Sequence, residues 1–152
     1  MPQKYRYIKK PSWLGDEGPL YEHEGLNETL RVLFDRKTNN VKQISVWETT
    51  IPPGAGIQLH KHPHPVEELL YVLRGKGIET VGDDQREVGP GTAIFIPPEV
   101  EHRIEITGDE MLVLLVVVSP PGIVEENLFQ KRVKKATQVW HKEYYSSLEK
   151  DW

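Results

Sequence analysis

Between Gly56 and Gly75 the chain gathers His60, His62, His64, Glu67 and Glu68 into nine consecutive positions. On an extended strand, side chains two apart share a face, so His60, His62, His64 and Glu68 are in phase and Glu67 points the other way. Imidazole nitrogens converging with a carboxylate describe a site for a divalent transition metal: Fe, Mn, Ni, Cu, Co or Zn. The chain has no Cys, so any metal must be held by His and carboxylate. A bulge after Pro65 could exchange Glu67 with Glu68.

These residues need a scaffold that brings separated segments together. A length of 152 residues suits one domain, with a hydrophobic fraction of 38% and a charged fraction of 28% that are typical of a globular protein. From Thr29 onward short strand-like segments alternate with turns rich in Gly, Pro, Asn or Asp: TLRVLF, VKQISVWETTI, then the His-rich stretch, KGIETV, REV, TAIFI, VEHRIEI and the apolar run 111–118. Short strands at even spacing predict an all-β sandwich or barrel over residues 29–120. Asn39-Asn40 suits a hairpin turn, and Pro52-Pro53 ends a strand.

Residues 1–28 carry Pro, Gly, charge and scattered aromatics without either period, and are expected to form an arm. Residues 123–152 change character: Phe129, Val133, Ala136, Trp140, Tyr144 and Leu148 recur at steps of three and four, which predicts an amphipathic helix over about 125–148 with Asn127 as an N-cap. No internal repeat of 20–50 residues is visible, and the whole chain is read as one domain.

Charge and apolar runs exclude several classes. A net charge of -4 without a basic face argues against nucleic acid as a partner. The longest apolar run, MLVLLVVV, is far shorter than the ~20 residues of a membrane span, and no secretory apolar run follows the basic N-terminus, so a cytoplasmic location is expected.

The spacing of Gly56, His62, His64, Glu68 and Gly75 matches the first signature of the cupins. Gly91, Pro97 and His102 match positions of the second signature, while Glu99 stands where a second Gly is usual and Ile106 where an Asn is usual. Residues 41–118 therefore resemble a small single-domain cupin. The resemblance implies an all-β jelly-roll, a double-stranded β-helix barrel, with one divalent metal held by His62, His64, Glu68 and His102. His60 and His62, preceded by Gly54, offer a second register, but the one through His62 and His64 fits the signature better.

In the preferred register His60 and Gln58 remain in phase with the ligands. His60 is then a proton-transfer group or a rim residue, and Glu67 is a further proton-transfer candidate. Leu70 and Val72 follow Glu68 in phase, and Ile104 and Ile106 follow His102, which predicts a mainly apolar pocket. Lys61 and Arg103 fall on the outward parity, against a sugar-phosphate substrate. His23 and His141 lie away from the cluster and read as surface residues. These expectations converge on a metal-dependent enzyme, dioxygenase-like, acting on a small apolar or aromatic molecule. An isomerase, lyase or decarboxylase and a non-enzymatic small-molecule binder remain as alternatives, and small cupins commonly pair as homodimers.

Overall fold

A computed structural model describes residues 7–23 and 27–151. In chain order its elements are β1 (Leu20–His23), β2 (Glu28–Phe34), α1 (Arg36–Asn39), β3 (Ser45–Ile51), β4 (Gly56–His60), β5 (Glu67–Arg74), β6 (Lys76–Val81), β7 (Asp84–Val88), β8 (Ala93–Ile96), β9 (His102–Thr107), β10 (Leu112–Ser119), α2 (Glu125–Leu128), β11 (Lys131–Val133) and α3 (Val139–Glu149). The strands form a seven-stranded sheet, β11-β1-β2-β3-β10-β5-β8, and a four-stranded sheet, β4-β9-β6-β7. Every pairing is antiparallel. The core contains Leu30, Trp47, Leu70 and Leu114 from the first sheet and Val88 and Ile104 from the second, so the apolar layer lies between the sheets.

Strand patterning explains this arrangement. In β5 burial alternates residue by residue, turning Glu68, Leu70 and Val72 inward and Glu67, Leu69 and Tyr71 outward. Strand β10 is apolar on both faces because both are covered. One meets the inter-sheet core, and Met111 and Val113 pack with Trp13, Trp140, Tyr144, Tyr145 and Leu148 in a second cluster that includes α3. Gly75 joins β5 to β6 at φ 86°, and a Cβ there would lie 2.4 Å from the Met111 carbonyl oxygen. Only glycine tolerates both conditions.

Two expectations of organisation change. The first 28 residues are not simply an arm, because Leu20–His23 is a strand that extends the larger sheet. The segment 125–148 is not one helix: Lys131–Val133 is extended and pairs with β1, Leu20 opposite Val133, and the Ala136 N–H donates to the Trp13 carbonyl at 3.0 Å. Backbone groups committed to neighbouring segments cannot serve a helical ladder. The three-and-four spacing survives in α3, where Tyr144 and Tyr145 are buried, while Asn127 lies inside the single turn of α2. Asn40 does adopt positive φ, but it closes the short helix α1, whose N-cap Asp35 accepts the Thr38 N–H at 2.8 Å.

Candidate metal centre

The two sheets bring three histidines to one point. His60 ends β4 and lies directly opposite His102, which begins β9, with ring centroids 4.2 Å apart. His62 sits two residues beyond β4 in the following loop, its ring 5.0 Å from that of His60 and 5.1 Å from that of His102. One ligating nitrogen from each of the three lies within 4.8 Å of the others.

The ring orientations suit metal binding. His60 Nδ1 faces the Gln58 carbonyl at 2.7 Å, and His102 Nδ1 faces the Val100 carbonyl at 3.0 Å. A carbonyl only accepts, so in each ring Nδ1 carries the proton and Nε2 keeps its lone pair. Burial pushes the proton affinity of His102 down, which favours the neutral ring. The buried Nε2 atoms of His62 and His102 have no hydrogen-bond partner, and a Glu68 oxygen lies 3.1 Å from His62 Nε2 without the alignment of a hydrogen bond. The free Nε2 lone pairs of His60 and His102, converging with His62 Nε2 and a Glu68 oxygen, are what a cation resolves, so the donor set fits a divalent metal.

His64 does not join this cluster. The period-two rule holds only while the chain is extended, and β4 ends at His60. Beyond it the Val66 N–H donates to the Pro63 carbonyl at 2.9 Å, and the turn leaves His64 exposed. Its backbone N–H donates to Glu99 Oε1 at 3.1 Å. The geometry therefore follows the register through His60 and His62, and β5 then returns Glu68 to the inner face. Glu67 is exposed on the outer face of β5, away from the cavity.

Glu99, which stands where the cupin signature usually has glycine, adopts φ 65°. This left-handed conformation is unfavourable for a residue with a Cβ. Its contacts offset the strain: the His64 N–H and the Lys61 ammonium, 3.2 Å away, hold its carboxyl below the usual range, and the Glu99 N–H donates to the His62 carbonyl at 2.8 Å. Together they tie down the loop that carries His62.

The histidines open onto a cavity of about 450 Å³. Trp47, Ile57, Leu70, Ile104, Leu114 and Val116 supply apolar walls, and Val124 and Leu128 close it from the α2 segment. Gln58, Leu70 and Ile104 line it as expected. Val72 is instead sealed in the core, and Ile106 borders a neighbouring, more open groove. Lys61 and Arg103 reach the rim, paired with Glu99 and Glu105 at 3.2 and 3.6 Å.

Three cavity residues were missed by sequence reasoning. Glu79 on β6 is 4% exposed, and burial, followed by the charge of Glu68, raises its carboxyl to about 8. Its shared phase with Gly77 and Val81 was the available signal. His23 and Glu28 form a pair at 3.3 Å on the same cavity, and the bond to Glu28 raises the His23 proton affinity. That pairing depends on the β1–β2 register, which no local motif announces. His141 also differs from expectation: it is a fully buried residue of α3 itself, and burial depresses it to about 3.

Comparison with known proteins agrees with this architecture. Residues 47–118 match the family model described as the cupin domain. An uncharacterized protein of Methanocaldococcus jannaschii is 41% identical over 81 residues, covering 53% of this chain and 63% of that protein. Auxin-binding protein T85 of Nicotiana tabacum is 31% identical over 114 residues, covering 68% of this chain and 59% of that protein. The crystal structure of a predicted oxalate decarboxylase from Thermotoga maritima superposes with a TM-score of 0.60 at 21% identity, covering 74% of this chain and 98% of the other. The chain spans about three fifths of the length of these two sequence relatives. It carries a small cupin-superfamily domain, of jelly-roll architecture with a C-terminal helix. No helix among the described residues is long and apolar enough to cross a membrane.

Proposed function

We propose that this chain is a metal-dependent enzyme acting on a small organic molecule, with one divalent transition metal held by His60, His62, His102 and Glu68. The observation that carries the reading is the convergence of three histidines whose nitrogens lie within 4.8 Å, beside a carboxylate and at the end of an apolar cavity. When bound, a metal with four protein ligands supplies Lewis acidity and open positions for oxygen donors. The chain itself orients the rings through the Gln58 and Val100 carbonyls, excludes water with Trp47, Leu70 and Ile104, and keeps proton-handling groups at Glu79 and His23.

Dioxygenase-like oxidation of a small apolar or aromatic substrate is the reaction we assign first, supported by the apolar walls of the cavity. A lyase or decarboxylase is the second reading, favoured by a protonated carboxyl at Glu79 near the metal site. The auxin-binding and oxalate decarboxylase names among the similar proteins support a small organic acid as ligand. Pairing of two copies is supported by Leu69, Tyr71 and Phe95, exposed on the outer face of β5 and β8.

Metal analysis of protein purified without chelator, followed by oxygen-uptake assays on small aromatic acids, tests this function. Stoichiometric metal with oxygen consumption supports oxidation, turnover without oxygen supports the second reading, and protein that takes up no metal contradicts both.

A further inference from the structure

Glu79 is a buried carboxyl group whose Oε2 meets no hydrogen-bond partner, yet it lines the cavity beside the histidine cluster. The cations at the cavity rim are engaged elsewhere, Lys61 with Glu99 and Arg103 with Glu105. Opposite Glu79 on the ladder stands the apolar Ile104, and the charged group that bears on it is Glu68. A buried carboxyl oxygen left unmatched costs stability, and a ligand that matches it recovers that cost.

The register places this group relative to the metal site. Val81 lies opposite His102 on the β6–β9 ladder, and Glu79 lies opposite Ile104. The carboxyl is therefore one inward step further along the sheet, about 7 Å of strand from the His102 position. It is not among the residues whose ligating atoms cluster.

We propose that Glu79 is the specificity residue of this cavity and selects a small carboxylic acid that carries a hydroxyl group a few bonds from its carboxylate. The carboxylate faces the metal site, so the inference rests on the metal-dependent reading above, and the hydroxyl meets Glu79. A hydroxyl both donates and accepts, and therefore matches a carboxyl in either protonation state. The apolar walls hold the carbon skeleton but do not distinguish a hydroxylated acid from its plain analogue. Discrimination falls to Glu79, because a site built to hydrogen-bond a hydroxyl rejects the analogue that lacks it.

The test uses metal-loaded wild type, Glu79→Gln and Glu79→Leu, each checked for metal content and for thermal unfolding. Calorimetric titrations compare 3-hydroxybenzoate with benzoate, 3-hydroxypropionate with propionate, and β-alanine with propionate. Wild type and Glu79→Gln are expected to bind at least one hydroxylated acid roughly tenfold or more tightly than its plain partner. Glu79→Leu is expected to unfold no earlier than wild type, to keep its metal and to lose the preference. An unchanged preference in Glu79→Leu overturns the proposal, as does wild type that binds no acid or binds both members of each pair equally. A preference for β-alanine that disappears in Glu79→Gln makes Glu79 a cation receptor instead. Loss of metal from either variant, with metal retained in wild type, makes it a ligand. Wild type that takes up no metal sinks the metal reading itself, a result distinct from all of these.

Discussion

Two regions on opposite faces of the larger sheet bury ionisable groups, and they behave differently. Under α3, Arg31 and Glu48 form an ion pair at 3.2 Å, the guanidinium also donates to the Lys10 carbonyl, and the Tyr145 ring covers it at 5.5 Å. The His141 ring nitrogens lie nearby without hydrogen-bond partners, in a region closed by packing. Between the sheets, His60, His62, His102, Glu68 and Glu79 surround an open volume. Burial and shifted proton affinities occur in both regions. Only the second has donors of one kind aimed at a shared space, and that convergence, more than polar burial itself, marks a functional site.

Arg31→Leu leaves Glu48 buried without its partner and is expected to destabilise the fold by about 3–5 kcal/mol in denaturant unfolding, with metal content unchanged. Metal loss with Arg31→Leu, in protein that is still folded, would join the two regions into one. Removing the metal acts on the cavity alone. A ligand present at about a thousand times its dissociation constant stabilises by about 4 kcal/mol, so chelation should lower the unfolding temperature accordingly.

The next effect separates the regions by pH. His141 is held neutral, with its folded value depressed from 6.5 to about 3, so its contribution is complete above 6.5 and is lost as pH falls from there toward 3. His141→Phe should remove a slope of up to about 1.4 kcal/mol per pH unit in that window and cost little at neutral pH, where the ring nitrogens have no partners to lose. The smallest effect has the opposite sign. His23 is raised above 6.5 by its bond to Glu28, so its contribution is present below 6.5 and is lost as pH rises through the folded value. His23→Gln should destabilise by less than about 1 kcal/mol, and only on the acid side, since the pair is partly exposed. Equal destabilisation at high pH would remove the charged pair from the account.

The strands between Glu28 and Ser119, their order of appearance and the inward turn of Glu68 were legible because period-two alternation reports burial directly. The pairing of His102 with that region followed from the cupin resemblance. The choice between His60 and His64 was not legible, because alternation was extended through His62-Pro63-His64-Pro65, where the chain is a loop. Glu79 was hidden because Ile78-Glu79-Thr80 offers an apolar residue on the opposite parity, and only the pairing of β6 with β9 shows which side faces the cavity. The helix predicted over 125–148 failed for a similar reason: its apolar spacing is real, but Lys131–Val133 is held extended by a strand more than a hundred residues earlier.

In the proposed metal site His60, and not His64, completes the ligand set. Calorimetric metal titration of wild type, His60→Ala and His64→Ala tests it most directly. The account predicts that His60→Ala weakens metal binding by roughly a hundredfold or more, while His64→Ala stays within about twofold of wild type. Tight binding by His60→Ala together with loss in His64→Ala would contradict it.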